Sequence, residues 1–372
     1  MKQKEINPRL GQVGGQAVLE GVMMKAGTKC ATACRLADGS ITVHHDTFVS
    51  VRKKHKICNL PLVRGVVNFV EMLMLSMKTL NVSAEAMGEE MGEETKFEKW
   101  LREKLHIDAM AVATVIGMVL GILLSVGLFI FLPRFLSKDL VELIFKTQLK
   151  PVWRGVVEGV VKVLIFIGYL LFCSSMKEMR RVFAYHGAEH KSVACYESGE
   201  ELTPANAKHH TRFHPRCGTS FMFVMILLGI FVSVILNACL PNLKSWAYSL
   251  LKLAVLPLVM GLGFEFIMFA GKHDNFLVRA LSAPGLWMQR ITTKEPDEQM
   301  LEVAITALKC AMPEVFPNFD PATYDRSPKP AEQEDEAEGT DASQEDGVSE
   351  ADAVQEASAE EAQESTSEDE TV

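Results

Sequence analysis

The chain has no run of closely spaced cysteines. Its eight, Cys30, Cys34, Cys58, Cys173, Cys195, Cys217, Cys239 and Cys310, are scattered. This scatter excludes the disulfide framework of a small secreted domain and fits reduced, cytosolic thiols. Cys173 and Cys239 lie inside apolar runs and read as small hydrophobes. The N-terminal MKQKEINPRL lacks an apolar core, so no cleaved signal peptide is expected. A basic stripe interleaved with aromatics is also missing, and nucleic acid is not an expected partner. Residues 331–372 hold 17 acidic side chains and no Lys or Arg. Without those 17 the net charge of −9 becomes +8, so a basic body carries an acidic tail. A basic body suits the anionic cytoplasmic leaflet of a membrane. The tail from about residue 326 is too poor in apolar side chains to bury a core, and is expected to be disordered.

Charge is absent from residues 109–132, a run of 24 residues, and again from 221–240. About 20 apolar residues suffice to cross a bilayer. Two further spans are less clean: 155–176 contains Glu158 and Lys162, and 246–270 contains Lys252, Pro257 and Glu265. Glu158 and Lys162, four apart on a helix, are expected to neutralise each other. The fold class is a polytopic α-helical membrane protein with about four transmembrane helices, a small N-terminal β-containing cytosolic unit and a disordered acidic tail. Lys and Arg flank the spans most densely before the first, between the second and third, and after the fourth. Both termini and the central segment are therefore expected in the cytoplasm. Arg134, Lys138, Lys146 and Lys150, between the first two spans, weaken the contrast.

The organisation predicted is an N-terminal cytosolic unit (1–60), an amphipathic interfacial helix and linker (61–108), transmembrane helices one and two (109–176), a cytosolic His/Cys loop (177–220), helices three and four (221–270), a cytosolic amphipathic segment (271–325) and the tail (326–372). Asp38-Gly39 lies between β-branched segments within 28–51 and predicts a hairpin. Within 61–80, Arg64, Asn68, Glu71 and Lys78 share one helical face and the other is apolar, as in a helix lying in the membrane interface; a core helix of the N-terminal unit is the alternative. Residues 295–310 predict an amphipathic helix.

The chemistry concentrates in YHGAEHKSVACYESGEELTPANAKHHTRFHPRCGTSF. His186, Glu189 and His190 form H-x-x-E-H, which on a helix puts both imidazoles on one face, ready to hold a zinc ion. Glu189 follows as a general base acting on water. Gly187 disfavours a regular helix there. His214 and Cys217 add an imidazole and a thiol three residues apart. Cys195 is a weaker candidate ligand, and His209 and His210 read as surface residues. Glu265 sits in an apolar span, where a carboxylate is costly and needs a partner: the metal, or Arg180 or Arg181.

GGQAVLEGVMMK (14–25), LPLVRG (60–65), YHGAEHKSVACYESG (185–199), HPRCGTSF (214–221), GFEF (263–266) and PGLWMQRITTKEPDEQMLEVA (284–304) resemble the YqhQ family of bacterial membrane proteins. The resemblance covers roughly residues 11–312. It implies a bacterial inner-membrane protein of a family described only as predicted metal-dependent enzymes, and marks His186, Glu189, His190, His214, Cys217 and Glu265. The function expected is a zinc-dependent hydrolase at the cytoplasmic membrane face, with substrate open among peptide, lipid headgroup and phosphoester. The alternative is a non-catalytic membrane scaffold or regulator with a structural metal or a hydrogen-bonded His/Cys loop. A transporter ranks third, because four spans are few and Glu265 alone looks buried.

Overall fold

The computed structural model describes residues 9–88, 109–146, 150–270 and 276–326. The acidic tail beyond Arg326 lies outside them. Four strands open the fold: β1 (Val13–Val18), β2 (Gly21–Ala26), β3 (Lys29–Arg35) and β4 (Ile41–Thr47), antiparallel in the order 1-2-3-4. The Asp38-Gly39 turn joins β3 to β4, with Gly39 at φ +91 and Ser40 donating its backbone N–H to Asp38 Oδ1. Residues 14–25, which carry part of the family resemblance, make up most of β1 and β2.

One face of the sheet, carrying Val22, Met24, Ala31 and Ala33, joins the main core. The other presents Met23 and Cys30 to Leu75 of α1 (Val63–Gly88). α1 turns much of its apolar face away from the body. Gly65, Glu71, Leu75, Thr79 and Ser83 are the buried positions, whereas Val70, Leu73, Met74 and Leu80 point outward. Glu71 is fixed by Ser50 Oγ and the Val51 amide, both donating to its carboxylate.

Among the described residues, four helical stretches are long and apolar enough to cross a membrane: Val115–Ile144, Pro151–Ser175, Phe221–Cys239 and Ser245–Phe266. The first comprises most of α2 (Ala109–Val126), followed by π turns alternating with short α turns as far as Phe145. The others are α3 (Pro151–Ser175), α6 (Gly218–Cys239) and α7 (Ser245–Ala270). α3 packs tightly on α6 because Gly155 and Gly159 lack side chains. A Cβ at Gly155 would meet Val234 Cα at 2.8 Å, and one at Gly159 would meet Ile230 at 2.6 Å.

Residues 177–220, expected as a loop, are mainly helical: α4 (Lys177–Ser198) and the short α5 (Pro204–His209). α4 runs unbroken through Gly187, against the expectation from helix propensity. The reason is packing, since a Cβ at 187 would lie 2.1 Å from the Lys294 carbonyl oxygen. Glycine lets residues 292–296 cross the helix at backbone distance, and the Lys294 amide donates to Phe183 O at 2.8 Å. α8 (Phe276–Thr292) leads into that crossing. α9 (Glu298–Ala311), expected to be amphipathic, is buried on nearly every side. Its Leu301, Ile305 and Leu308 centre one core shared by the sheet, α4 and α5. Glu302, carried into that core, is held by Arg35 and Arg326. The N-terminal unit, the His/Cys segment and the C-terminal segment are thus one folded body.

Candidate functional site

His186 and His190, one turn apart on α4, bring their rings to 4.4 Å between centroids. Each ring is oriented by a backbone carbonyl. His186 Nδ1–H donates to Thr292 O at 2.9 Å, and His190 Nδ1–H to Arg212 O at 2.5 Å. This fixes the tautomer and leaves both Nε2 lone pairs for another partner. Cys217, the N-cap residue of α6, completes the group: its Sγ lies 3.3 Å from His186 Nε2 and accepts from Thr219 Oγ1 at 3.3 Å. The ligand atoms of His186, His190 and Cys217 all lie within 4.8 Å of one another. Tetrahedral zinc with N and S bonds of about 2.0–2.3 Å requires ligand atoms about 3.5 Å apart. The donor set therefore suits zinc in type and tautomer, while the 4.8 Å that bounds its spacing is wider than a bound ion would require.

Glu189 is not one of the three. The Gly15 amide of β1 donates to its Oε1 at 3.0 Å, and its Oε2 lies 3.4 Å from His190 Nε2. Gly15 permits this approach, since a Cβ there would touch Glu189 Cγ at 3.0 Å and Met23 O at 2.4 Å. A buried carboxylate is thus pinned by one oxygen, with the other leaning toward the cluster.

The other predicted residues stand apart. The His214 ring packs 5.5 Å from His190, but its Nε2 faces Glu197 at 3.8 Å and Arg216 Nη2 at 3.3 Å. Burial would push the Glu197 carboxyl up; the His214 ring, the Gly11 amide and Arg216 outweigh it and hold it below the ordinary range. Glu265 is gripped by the guanidinium of Arg64, with Arg64 Nε donating at 2.6 Å. Arg181 is engaged by Glu20 instead, so the pairing of Glu265 with Arg180 or Arg181 gives way to one with Arg64. A second group, Cys195, Glu200 and His210, also falls within 4.8 Å. There burial, reinforced by the charge of Glu200, pushes the Cys195 thiol up to about 11, and it donates to Glu201 O.

Several residues that build the site escaped the sequence reading. Gln289, fully buried, clamps the turn before Cys217: it accepts from the His214 amide and donates to the His214 carbonyl, each at 2.8 Å. Gly15, Thr292 and Arg212 act through backbone atoms, which no side-chain pattern announces. Gly15 and Gln289 do lie in two of the motifs quoted above. Surface concavities of about 290 Å³ (Ser50, Arg52, Glu71) and about 490 Å³ (His45, Asp46, Cys310) lie away from the trio.

A family model described as a protein of unknown function, DUF1385, matches residues 60–314. The match spans the trio and Glu189 but begins after the sheet that supplies Gly15. The chain is also similar to a Bacillus subtilis (strain 168) protein described as uncharacterized protein YqhQ. The two are 34% identical over 298 residues, covering 78% of this chain and 89% of that one. No solved structure matches the chain.

Proposed function

The chain belongs to the DUF1385 family and is a relative of the Bacillus subtilis protein YqhQ, and from that premise we propose that it is an integral membrane protein with a zinc-dependent hydrolytic site at the cytoplasmic face. The observation that carries the reading is the convergence of His186 Nε2, His190 Nε2 and Cys217 Sγ, with both Nδ1 atoms committed to carbonyls. Zinc held by these three would supply Lewis acidity and a lowered pKa for water at its open position. Glu189, anchored by Gly15, takes a proton from the attacking water at Oε2 and returns it to the leaving group. Hydrolysis is the reaction class; a peptide, a lipid headgroup and a phosphoester remain the candidate substrates.

The membrane placement rests on four apolar helices and on α1. That helix turns its polar side to the folded body and its apolar side outward, the arrangement expected when a bilayer surface covers it. Lys177, Arg180, Arg181, Lys191, Lys208, Arg212 and Arg216 all belong to the site end, and this excess of basic side chains supports the reading that this end and both termini face the cytoplasm. Arg134, counted against this topology when it is read as a loop residue, is buried among the helices.

One observation favours a second reading, a structural zinc in a scaffold or regulator. The His214 ring already lies beside His190 and would close the fourth position if it left Glu197. Cobalt substitution of the purified protein separates the two. The hydrolytic reading expects a thiolate–cobalt charge-transfer band that is lost in Cys217→Ser, kept in Glu189→Gln and shifted by added azide entering an open position. A cobalt spectrum indifferent to azide and changed by His214→Ala would establish the closed, structural site.

A further inference from the structure

A second polar centre lies inside the apolar helices, at the end opposite the His/Cys trio. Glu158 and Lys252 each sit seven residues beyond the first residue of their helices, at Pro151 and Ser245. The trio lies beyond Ser175, at the other end of α3. At 1.5 Å per residue, the rise from Glu158 to Ser175 is about 25 Å. Arg134, Arg154, Glu158 and Lys252 are all at least nine-tenths buried, so Glu265 is not the principal buried charge that the sequence suggested. Glu158 is taken by Lys252 and, at 3.6 Å, by Lys162.

Arg134 is different. Only 1% exposed, it donates from Nη1 to Asn237 Oδ1 at 2.7 Å and lies 4.0 Å over the Tyr248 ring. Tyr248 and Asn237 are tied together and to Ser233 O, which fixes the guanidinium in place. Its Nε and Nη2 have no hydrogen-bond partner among the described residues. Those two atoms form one edge of the guanidinium, with parallel N–H bonds. The same edge grips a carboxylate elsewhere in this protein: Arg64 holds Glu265 with it, and Arg181 holds Glu20. Arginine cannot shed its charge, and a buried fork without an acceptor is strongly disfavoured. A fork of this shape matches two oxygens of a carboxylate or phosphate. Of these, phosphate is the oxyanion that helix ends at a bilayer surface meet on every side.

We propose that the Nε/Nη2 edge of Arg134 binds a phosphate oxyanion, as the free ion or as a lipid headgroup, in the helix cluster at the end opposite the His/Cys trio. The test uses the full-length chain in detergent after delipidation. One arm measures equilibrium dialysis of labelled inorganic phosphate; the other measures retention of added phosphatidylglycerol against diacylglycerol. Saturable binding near one per chain is expected in one arm, and which arm responds identifies the source. Arg134→Lys, which replaces the fork with a single ammonium, should weaken binding at least about tenfold. Asn237→Asp should weaken it comparably by setting a carboxylate against the same guanidinium. The second variant is nearly isosteric and decides the matter should the first fail to fold. Absence of binding in both arms, or binding unchanged in Asn237→Asp, would overturn the proposal.

Discussion

Gly187 shows how one methyl group governs this site. An alanine there would place its Cβ 2.1 Å from the Lys294 carbonyl oxygen and push the crossing segment off α4. That segment supplies the Thr292 carbonyl that orients His186. Gly187→Ala should cost about 1–3 kcal/mol, the usual range for overpacking, and should weaken metal binding as well. Denaturant melts and zinc competition titrations of the variant check both effects; unchanged melts would mean that the crossing is looser than described. The pairing of His186 with His190 was legible in the sequence because four residues make about one helical turn, whereas the approach of Cys217 depends on the fold and was suggested by residue type alone. Gly187 was misread because helix propensity knows nothing of a backbone passing overhead. Gly15 and Gln289 act across long sequence separations, 174 residues in the case of Gly15 and Glu189, where spacing carries no signal.

Among the elements, α1 separates two physical pictures. Its pattern was readable as amphipathic, but a pattern does not say which side faces the protein. The structure packs the line Glu71, Leu75, Thr79 and Ser83 inward and leaves Leu73 and Met74 outside. A spin label at position 74 in reconstituted protein should be relaxed by oxygen dissolved in lipid and shielded from a water-soluble quencher. A label at position 79 should reach neither. Equal access of the quencher to both would remove α1 from the bilayer surface. The apolar spans were plain from composition because each is a long run without charge. β1 and β2 were not, since GGQAVLEGVMMK lacks the alternation of a half-exposed strand; β2 is covered on both faces. α9 was placed correctly as a helix, but its full burial depends on partners drawn from both ends of the chain.

The whole molecule joins segments that the sequence sets far apart, and its core carries a pH signature. Burial pushes the thiols of Cys34, Cys195 and Cys310 up, to about 12, about 11 and about 11. An unfolded thiol titrates near 8.5. Between about pH 8.5 and 11 the unfolded chain releases protons that the folded chain keeps. Their contribution is therefore complete below about pH 8.5 and is lost as pH rises through that window. The melting temperature should fall steadily over this range, and Cys195→Ala should flatten the slope; a slope independent of these cysteines would contradict the burial. Topology is tested by reporter fusions after residues 200 and 243, which should report cytoplasm and periplasm respectively. A periplasmic signal at 200 would move the site to the other side of the membrane.

His186, His190 and Cys217 are proposed to hold one metal ion. Elemental analysis of the full-length protein, purified in detergent without chelator, tests it most directly. One zinc per chain is expected in the wild type and in Glu189→Gln, Glu265→Gln and His214→Ala, and less than a tenth of that in folded His190→Ala and Cys217→Ser. A wild type that is free of metal even after incubation with zinc, or a Cys217→Ser/His190→Ala double variant that keeps its zinc, would contradict it.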